Sequence, residues 1–267
     1  MSIPSVSEDG RCAEILRGVG LEIALQPVRP LGAPRVLREG WFEVLARPHG
    51  FGSPLPVVQW AASSGRALDF DLAVMRLGLA WLEQHPEVGL LGFNLAPETV
   101  ASPDAPRRLL SLIEGADVDP ARLAVEITES APIRDLPRAR TLTALLRSRG
   151  LWVGIDDFGS GASHMALLAP LSIDFIKIDR SFVERLPGAD TEKLFRGLTA
   201  FGRELALVTV AEGVETAEQR QLLLGLGIDY VQGFHDGGEP RLTMGAGATH
   251  RGEVVLPAVT VAGGACP

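Results

Sequence analysis

Val153-Gly154-Ile155-Asp156-Asp157-Phe158-Gly159-Ser160-Gly161 is the stretch on which the fold turns: an apolar run ends in two adjacent carboxylates, and a glycine-rich turn follows. Leu151, Val153 and Ile155 read as a buried strand. Neighbouring side chains on a strand point to opposite faces. Asp156 and Asp157 are therefore expected to converge on one site only where the strand ends and the backbone turns, with Gly159 and Gly161 supplying the freedom. Two carboxylates this close do not both stay ionised without a countercharge. A divalent cation is one answer. An Asp-based turn capping the next helix is the other, and the rest of the chain has to choose between them.

Outward from this point, strand and helix signals alternate. Upstream, Leu21–Val28 reads as a strand ended by Pro27 and Pro30, and a second strand closes on Glu43-Val44-Leu45-Ala46-Arg47. Helical patterns are expected around 57–64 and 68–84, a strand at 90–95, a helix at 106–113, a strand at 123–127 and a helix at 138–149 stopped by Gly150. Downstream, helices are expected at 163–169, 191–205 and 217–226, with strands at 173–178, 207–211 and 230–234. This alternation predicts a (β/α)-barrel. An open doubly wound sheet is disfavoured because no glycine-rich phosphate fingerprint follows the first strand. Residues 1–10 read as a flexible lead, 11–240 as the globular domain, and 241–267, rich in Gly, Ala and Val, as an irregular or disordered tail.

Composition excludes several classes. The chain has 267 residues, 46% hydrophobic and 22% charged, with a formal net charge of −8. That balance argues against a DNA or RNA polymer as partner and against a basic membrane-surface protein. No apolar run is long enough to span a bilayer, and no signal peptide is apparent. The two cysteines, Cys12 and Cys266, form neither a disulfide framework nor a zinc cluster, so a reducing, cytoplasmic setting is expected. The five histidines are scattered without ligand spacing.

The polar residues at the ends of the apolar strands carry the chemistry: Glu43, Asn94, Glu126, Asp156 with Asp157, Lys177, Glu212 and Gln232. Any one of them alone would read as a cap or a rim group. In a parallel barrel, however, the strand ends converge on one face, where active sites are built. Carboxylates and an amide oxygen, without Cys or His, suit hard cations such as Mg²⁺ or Mn²⁺. There are more carboxylates than one Mg²⁺ takes, which points to two ions, the device that attacks a phosphodiester with water. Lys177 is placed to hold or deprotonate that water or to balance charge, against the plainer reading of a rim salt bridge. Arg47 could reach a phosphate, or form only a surface ion pair.

Taken in order, these segments resemble the EAL-domain cyclic di-GMP phosphodiesterases over roughly residues 11–235. LEIALQPV resembles the family's first strand, and EVLAR stands where the family has Glu-Ala-Leu-Leu-Arg. FNLAPETV, VEITES, IDDFGSG, IKIDRSFV, VAEGVET and YVQGF follow in family order. The resemblance implies a modified TIM-type (β/α)8 barrel, the EAL fold, whose first strand is antiparallel. It implies a metal-dependent phosphodiesterase of bacterial signalling that cleaves cyclic di-GMP to linear 5′-pGpG. The implied metal ligands are Glu43, Asn94, Glu126, Asp156, Asp157 and Glu212, with Asp156 bridging two Mg²⁺ or Mn²⁺ ions. Lys177 and Gln232 would position or activate the water, with Glu43 and Glu215 counted with them in catalysis. Glu129 would steady the loop after Asp157, and Arg47 and Gln26 would contact the nucleotide.

The chain also departs from the family pattern. Val44 replaces the signature alanine. Ala162-Ser163-His164 replaces Tyr-Ser-Ser in the loop that links the metal site to the family's dimer interface, so a weakened homodimer is expected. After Gln232-Gly233-Phe234, the stretch His235-Asp236-Gly237-Gly238-Glu239 intervenes before proline. No segment like the family's usual sensory or cyclase modules is recognisable, so input is expected from a separate sensory protein. The alternative function is an EAL module without turnover, acting as a cyclic di-GMP sensor or a protein-docking regulator. Retention of the whole ligand set favours the enzyme.

Overall fold

The computed structural model describes residues 8–32, 36–37, 39–128, 132–159, 171–236 and 241–242. β1 (Leu21–Pro30) and β2 (Trp41–Pro48) pair antiparallel, with Gln26 opposite Glu43. A parallel neighbour would need a crossover of a dozen or more residues, usually a helix. The short link between these strands leaves no room for one, so the first strand runs opposite to the rest. From β2 onward each pairing is parallel, through β3 (Leu91–Leu95), β4 (Leu123–Ile127), β5 (Trp152–Phe158), β6 (Phe175–Ile178), β7 (Val208–Ala211) and β8 (Tyr230–Gln232). β8 returns antiparallel to β1 at Val28↔Gln232, which closes an eight-stranded barrel.

Helices cover the outside of the barrel. They are α1 (Glu8–Leu16), α2 (Leu55–Ser63), α3 (Ala67–Glu83), α4 (Pro97–Val100), α5 (Ala105–Glu114), α6 (Leu136–Ser148), α7 (Arg180–Val183), α8 (Ala189–Glu204) and α9 (Ala217–Leu226). Met75, Leu79 and Leu82 of α3, Leu109 and Ile113 of α5, and Leu142 and Leu146 of α6 pack on the outward strand residues Phe93, Val125, Val153 and Ile155. Among the described residues no helix is long and apolar enough to cross a membrane.

Inside the barrel a second apolar layer closes the N-terminal end of the strands: Val28, Trp41, Leu90, Ala124, Phe175, Val210 and Tyr230. The Trp41 ring lies 5.6 Å from Phe175, edge-on, and 4.9 Å from Tyr230. Side chains two apart on a strand share a face. The next inward position above Trp41 is therefore Glu43, above Ala124 Glu126, above Phe175 Lys177, above Val210 Glu212 and above Tyr230 Gln232. On the reversed β1 it is Gln26, two residues before Val28. A plugged floor and a polar upper layer thus follow from one period-2 pattern repeated around the barrel.

Four expectations need correction. α1 reaches back to Glu8, so the lead does not extend to residue 10. β1 runs through Pro27 to Pro30. On its outer edge β8 pairs at 28–30 and β9 (Arg241–Leu242) at 23–24, and Pro27 falls in the gap, where that edge needs no amide donor. β5 continues past both aspartates to Phe158 rather than ending at Asp156. β9 itself lies beyond the boundary expected at residue 240 and pairs as Ile23↔Leu242 and Ala24↔Arg241. Residues 243–267, the helix expected at 163–169 and the altered positions Ala162, His164 and 237–239 lie outside the described residues.

Candidate active site

Lys177 organises the polar layer. Its side chain is 1% exposed, and Nζ lies 2.8 Å from Glu43 Oε2, 2.8 Å from Glu126 Oε2, 3.1 Å from Asp156 Oδ1 and 2.8 Å from Glu212 Oε1. Around this cluster the amides complete a network. Asn94 Nδ2 donates to Glu43 Oε1 at 2.5 Å, and Gln232 Nε2 donates to Glu43 Oε2 at 2.6 Å and to Gln26 Oε1 at 2.9 Å. Glycine makes room for one member. A Cβ at Gly92, on the strand next to Glu126, would stand 2.7 Å from Glu126 Oε1.

Asp156 and Asp157 converge through a break in the ladder. The β5–β6 register shifts between Ile155 and Phe158, and Asp157 adopts φ 56°, in the left-handed region. One extra residue in a strand turns a side chain that would face outward towards the interior. The turn that the sequence assigns to the glycines begins at Asp157 itself and continues at Gly159, whose φ is 101°, while Gly161 lies outside the described residues. A non-glycine residue held there is strained, and such strain gathers at functional sites.

The charges are unbalanced: five carboxylates face one ammonium. Burial alone would discharge Lys177, but Asp156, Glu126, Glu212 and Glu43 outweigh it and hold the ammonium well above its ordinary range. Burial likewise pushes Glu43 up, but Lys177 and the hydrogen bonds from Gln232, Lys177 and Asn94 more than reverse this, so Glu43 stays ionised. Elsewhere the burial effect wins. Glu126 rises to about 8 through burial, with repulsion from Glu43 and Asp156 adding to it. Asp157 rises to about 6 through burial, then Asp156 and Asp179. Asp156 and Glu212 are also raised, burial first, with further carboxylates adding to it.

Of the residues expected from the sequence, Glu43, Asn94, Glu126, Asp156, Asp157, Lys177, Glu212, Gln232 and Gln26 are brought to this one layer. Arg47 is half-buried at the C-terminal end of β2, where Nη1 donates to Ala46 O at 3.0 Å, and it pairs across the ladder with Glu22. Glu215 is not brought in. It is exposed ahead of α9, beside Arg180, and its backbone N–H is taken by Gln219. Among the described residues a catalytic role for Glu215 finds no contact with the cluster. Glu129 lies outside the described residues. Sequence reading passed over Gly92, Asp179 and Asp71. The last of these had a visible signal: a carboxylate on the otherwise apolar face of ALDFDLAVM.

The donor set fits a hard cation. Carboxylate oxygens of Glu43, Glu126 and Asp156 lie within 4.8 Å of one another, as do those of Asp156, Asp157 and Glu212, so that Asp156 belongs to both groups. Among the described residues, Asn94 Oδ1, Glu126 Oε1 and Gln232 Oε1 are buried acceptors without a hydrogen-bond partner. Unused buried acceptors are costly. The Lys177 ammonium already occupies the place of a cation between the two groups.

A family model described as the EAL domain matches residues 12–237. The chain is 31% identical over 203 residues to a probable cyclic di-GMP phosphodiesterase, PdeA of Escherichia coli, covering 73% of this chain and 28% of that one. It spans about a quarter of the length of such curated relatives. Among solved structures, the FimX EAL domain of Pseudomonas aeruginosa bound to c-di-GMP superposes with a TM-score of 0.79 at 25% identity, covering 87% of this chain and 96% of that one. BlrP1 of Klebsiella pneumoniae, solved as a manganese and c-di-GMP complex, superposes at 0.71 with 31% identity, covering 82% and 55%.

Proposed function

The chain belongs to the EAL domain family, and we propose that it is a metal-dependent phosphodiesterase that hydrolyses cyclic di-GMP to linear 5′-pGpG. One observation carries this reading: two carboxylate groups share Asp156 around a single buried ammonium, ringed by unused amide oxygens. Glu43, Glu126 and Asp156 would hold one divalent ion, with the Asn94 amide oxygen beside Glu43. Asp156, Asp157 and Glu212 would hold a second. Mg²⁺ or Mn²⁺ bound there would offset the carboxylate charge and acidify a water next to the phosphodiester.

The chain's own residues would do the rest. Gln232, anchored through Nε2 to Glu43 and Gln26, presents Oε1 to a water hydrogen and turns the water's lone pair towards phosphorus. Lys177, within 2.8–3.1 Å of four of the carboxylates, would hold the water or balance charge on a phosphoryl oxygen. A pocket carboxylate takes the water's proton. The new P–O bond forms as the P–O3′ bond breaks, and O3′ takes up a proton from solvent water as it leaves as the 3′-hydroxyl of the linear product. Arg47, at the mouth, suits a phosphate of the substrate.

Incubation with cyclic di-GMP and Mn²⁺, followed by chromatography, tests the proposal. Linear pGpG is the expected product, chelator should abolish it, and Ca²⁺ should bind with little turnover because its geometry is looser. Binding of cyclic di-GMP without any pGpG would replace the enzyme with the sensor. The same proposal includes a cytoplasmic setting, in keeping with two cysteines and an acidic balance. It also includes association of two copies and control by a separate sensory protein, both supported by the family resemblance.

A further inference from the structure

α3 buries one carboxyl that the pocket does not use. Asp71 is 7% exposed, on a helix face that also buries Leu68, Val74 and Met75. A carboxyl in an apolar layer costs stability unless its oxygens are satisfied. Asp71 Oδ2 accepts the Ala96 N–H at 2.9 Å. The carbonyl of the same peptide group, Leu95 O, accepts the Thr128 N–H at 3.3 Å. The Leu95–Ala96 peptide is thus held at both polar ends, by α3 on one side and by the end of β4 on the other.

That peptide lies next to a predicted ligand. Asn94 immediately precedes it, and Thr128 stands two residues after Glu126. Asn94 donates to Glu43 through Nδ2, while its Oδ1 is a buried acceptor without a partner among the described residues. β3 ends at Leu95, so the Ala96 N–H lies beyond the strand pairing and would be orphaned without Asp71. An apolar side chain would fill the same space at less cost. The carboxyl, which also interacts with the Thr99 side chain in α4, therefore serves the peptide it grips and the turn that follows it rather than the packing around it.

We infer that Asp71 is a positioning residue for the metal site: its grip on the Leu95–Ala96 peptide sets the direction in which Asn94 offers Oδ1 beside Glu43. The inference rests on the metal-dependent reading above. Mn²⁺ titration of the full chain without substrate, followed by calorimetry, tests it apart from turnover. Asp71→Asn keeps an acceptor for the Ala96 N–H and should bind Mn²⁺ like the wild type. Asp71→Leu has none and should lose about tenfold or more in affinity, the usual effect of removing a group that orients a ligand. Circular dichroism in chelator should show every variant folded. Asp71→Ala, read in the same titration, provides the contrast if the leucine variant fails to fold. Wild-type affinity in the variant that lacks the acceptor overturns the inference. So does an equal loss in Asp71→Asn, since the charge and not the hydrogen bond would then matter. A wild type that binds no Mn²⁺ overturns the metal reading itself, and this inference with it.

Discussion

At the scale of single residues, the pocket depends on groups that cost the fold something. Glu43 is 4% exposed, yet it accepts from Asn94, Gln232 and Lys177, so its oxygens are well used. Glu43→Gln keeps the shape but weakens a proposed metal ligand. It should lower the rate of pGpG formation by orders of magnitude while the melting temperature changes by only a few degrees, as calorimetry would show. Gly92 sets a steric limit beside it. Gly92→Ala adds a methyl 2.7 Å from Glu126 Oε1 and should displace that carboxylate. Loss of Mn²⁺ affinity with the circular dichroism spectrum retained is the expected result. An alanine variant as active as the wild type would mean that Glu126 has room to move.

Two elements decide how the site is assembled. The bulge in β5 turns Asp157 inward at φ 56°, which makes Asp156 and Asp157 partners rather than opposites. α3 stands behind the wall and reaches the loop after β3 through Asp71. Burial raises that carboxyl from 3.8 to about 7. A raised acid favours the folded state fully below its unfolded value, and that contribution disappears as pH climbs through about 7. At 1.36 kcal/mol per pH unit it amounts to at most about 4 kcal/mol. Wild-type stability in chelator should therefore fall between pH 5 and pH 8 more steeply than that of Asp71→Asn. Urea melts across that range measure the difference, and parallel curves would place the shift elsewhere.

For the molecule as a whole, the proposed metal site would make bound cations part of the stability. Ions that bind only the folded chain stabilise it by about 2.7 kcal/mol at a hundredfold excess over the dissociation constant. Mn²⁺ should accordingly raise the melting temperature by several degrees, and chelator should remove the gain. Barrel closure is the other global feature. β8 covers only the 28–30 part of β1, and β9 covers 23–24, close to Gln26. A chain ending at residue 236 should melt lower and turn over more slowly than one ending at residue 246. Equal behaviour would make the β9 pairing dispensable, as the reading of the tail from sequence implied.

Much of this could be read from the chain before folding, because both strand periodicity and ligand chemistry are local. Alternating apolar strands and helices specified the barrel. The recurrence of Glu43, Asn94, Glu126, Asp156, Lys177, Glu212 and Gln232 at strand ends specified an oxygen-lined face, since a parallel barrel brings those ends together. Tertiary structure decided what depends on neighbours distant in sequence. Pro27 stays within a strand because the gap between β8 and β9 leaves its edge without a demand for a donor. Asp157 points inward because β6 holds β5 through a shifted register. Glu215, adjacent to the ligands in a family-like motif, faces solvent because the chain there has already left β7 for the cap of α9. Asp71 acquires a task only when α3 packs against the loop after β3, a contact between residues 25 positions apart. Residue types and spacing state which groups a chain can offer, but the direction of a side chain or peptide is set by whatever packs against it.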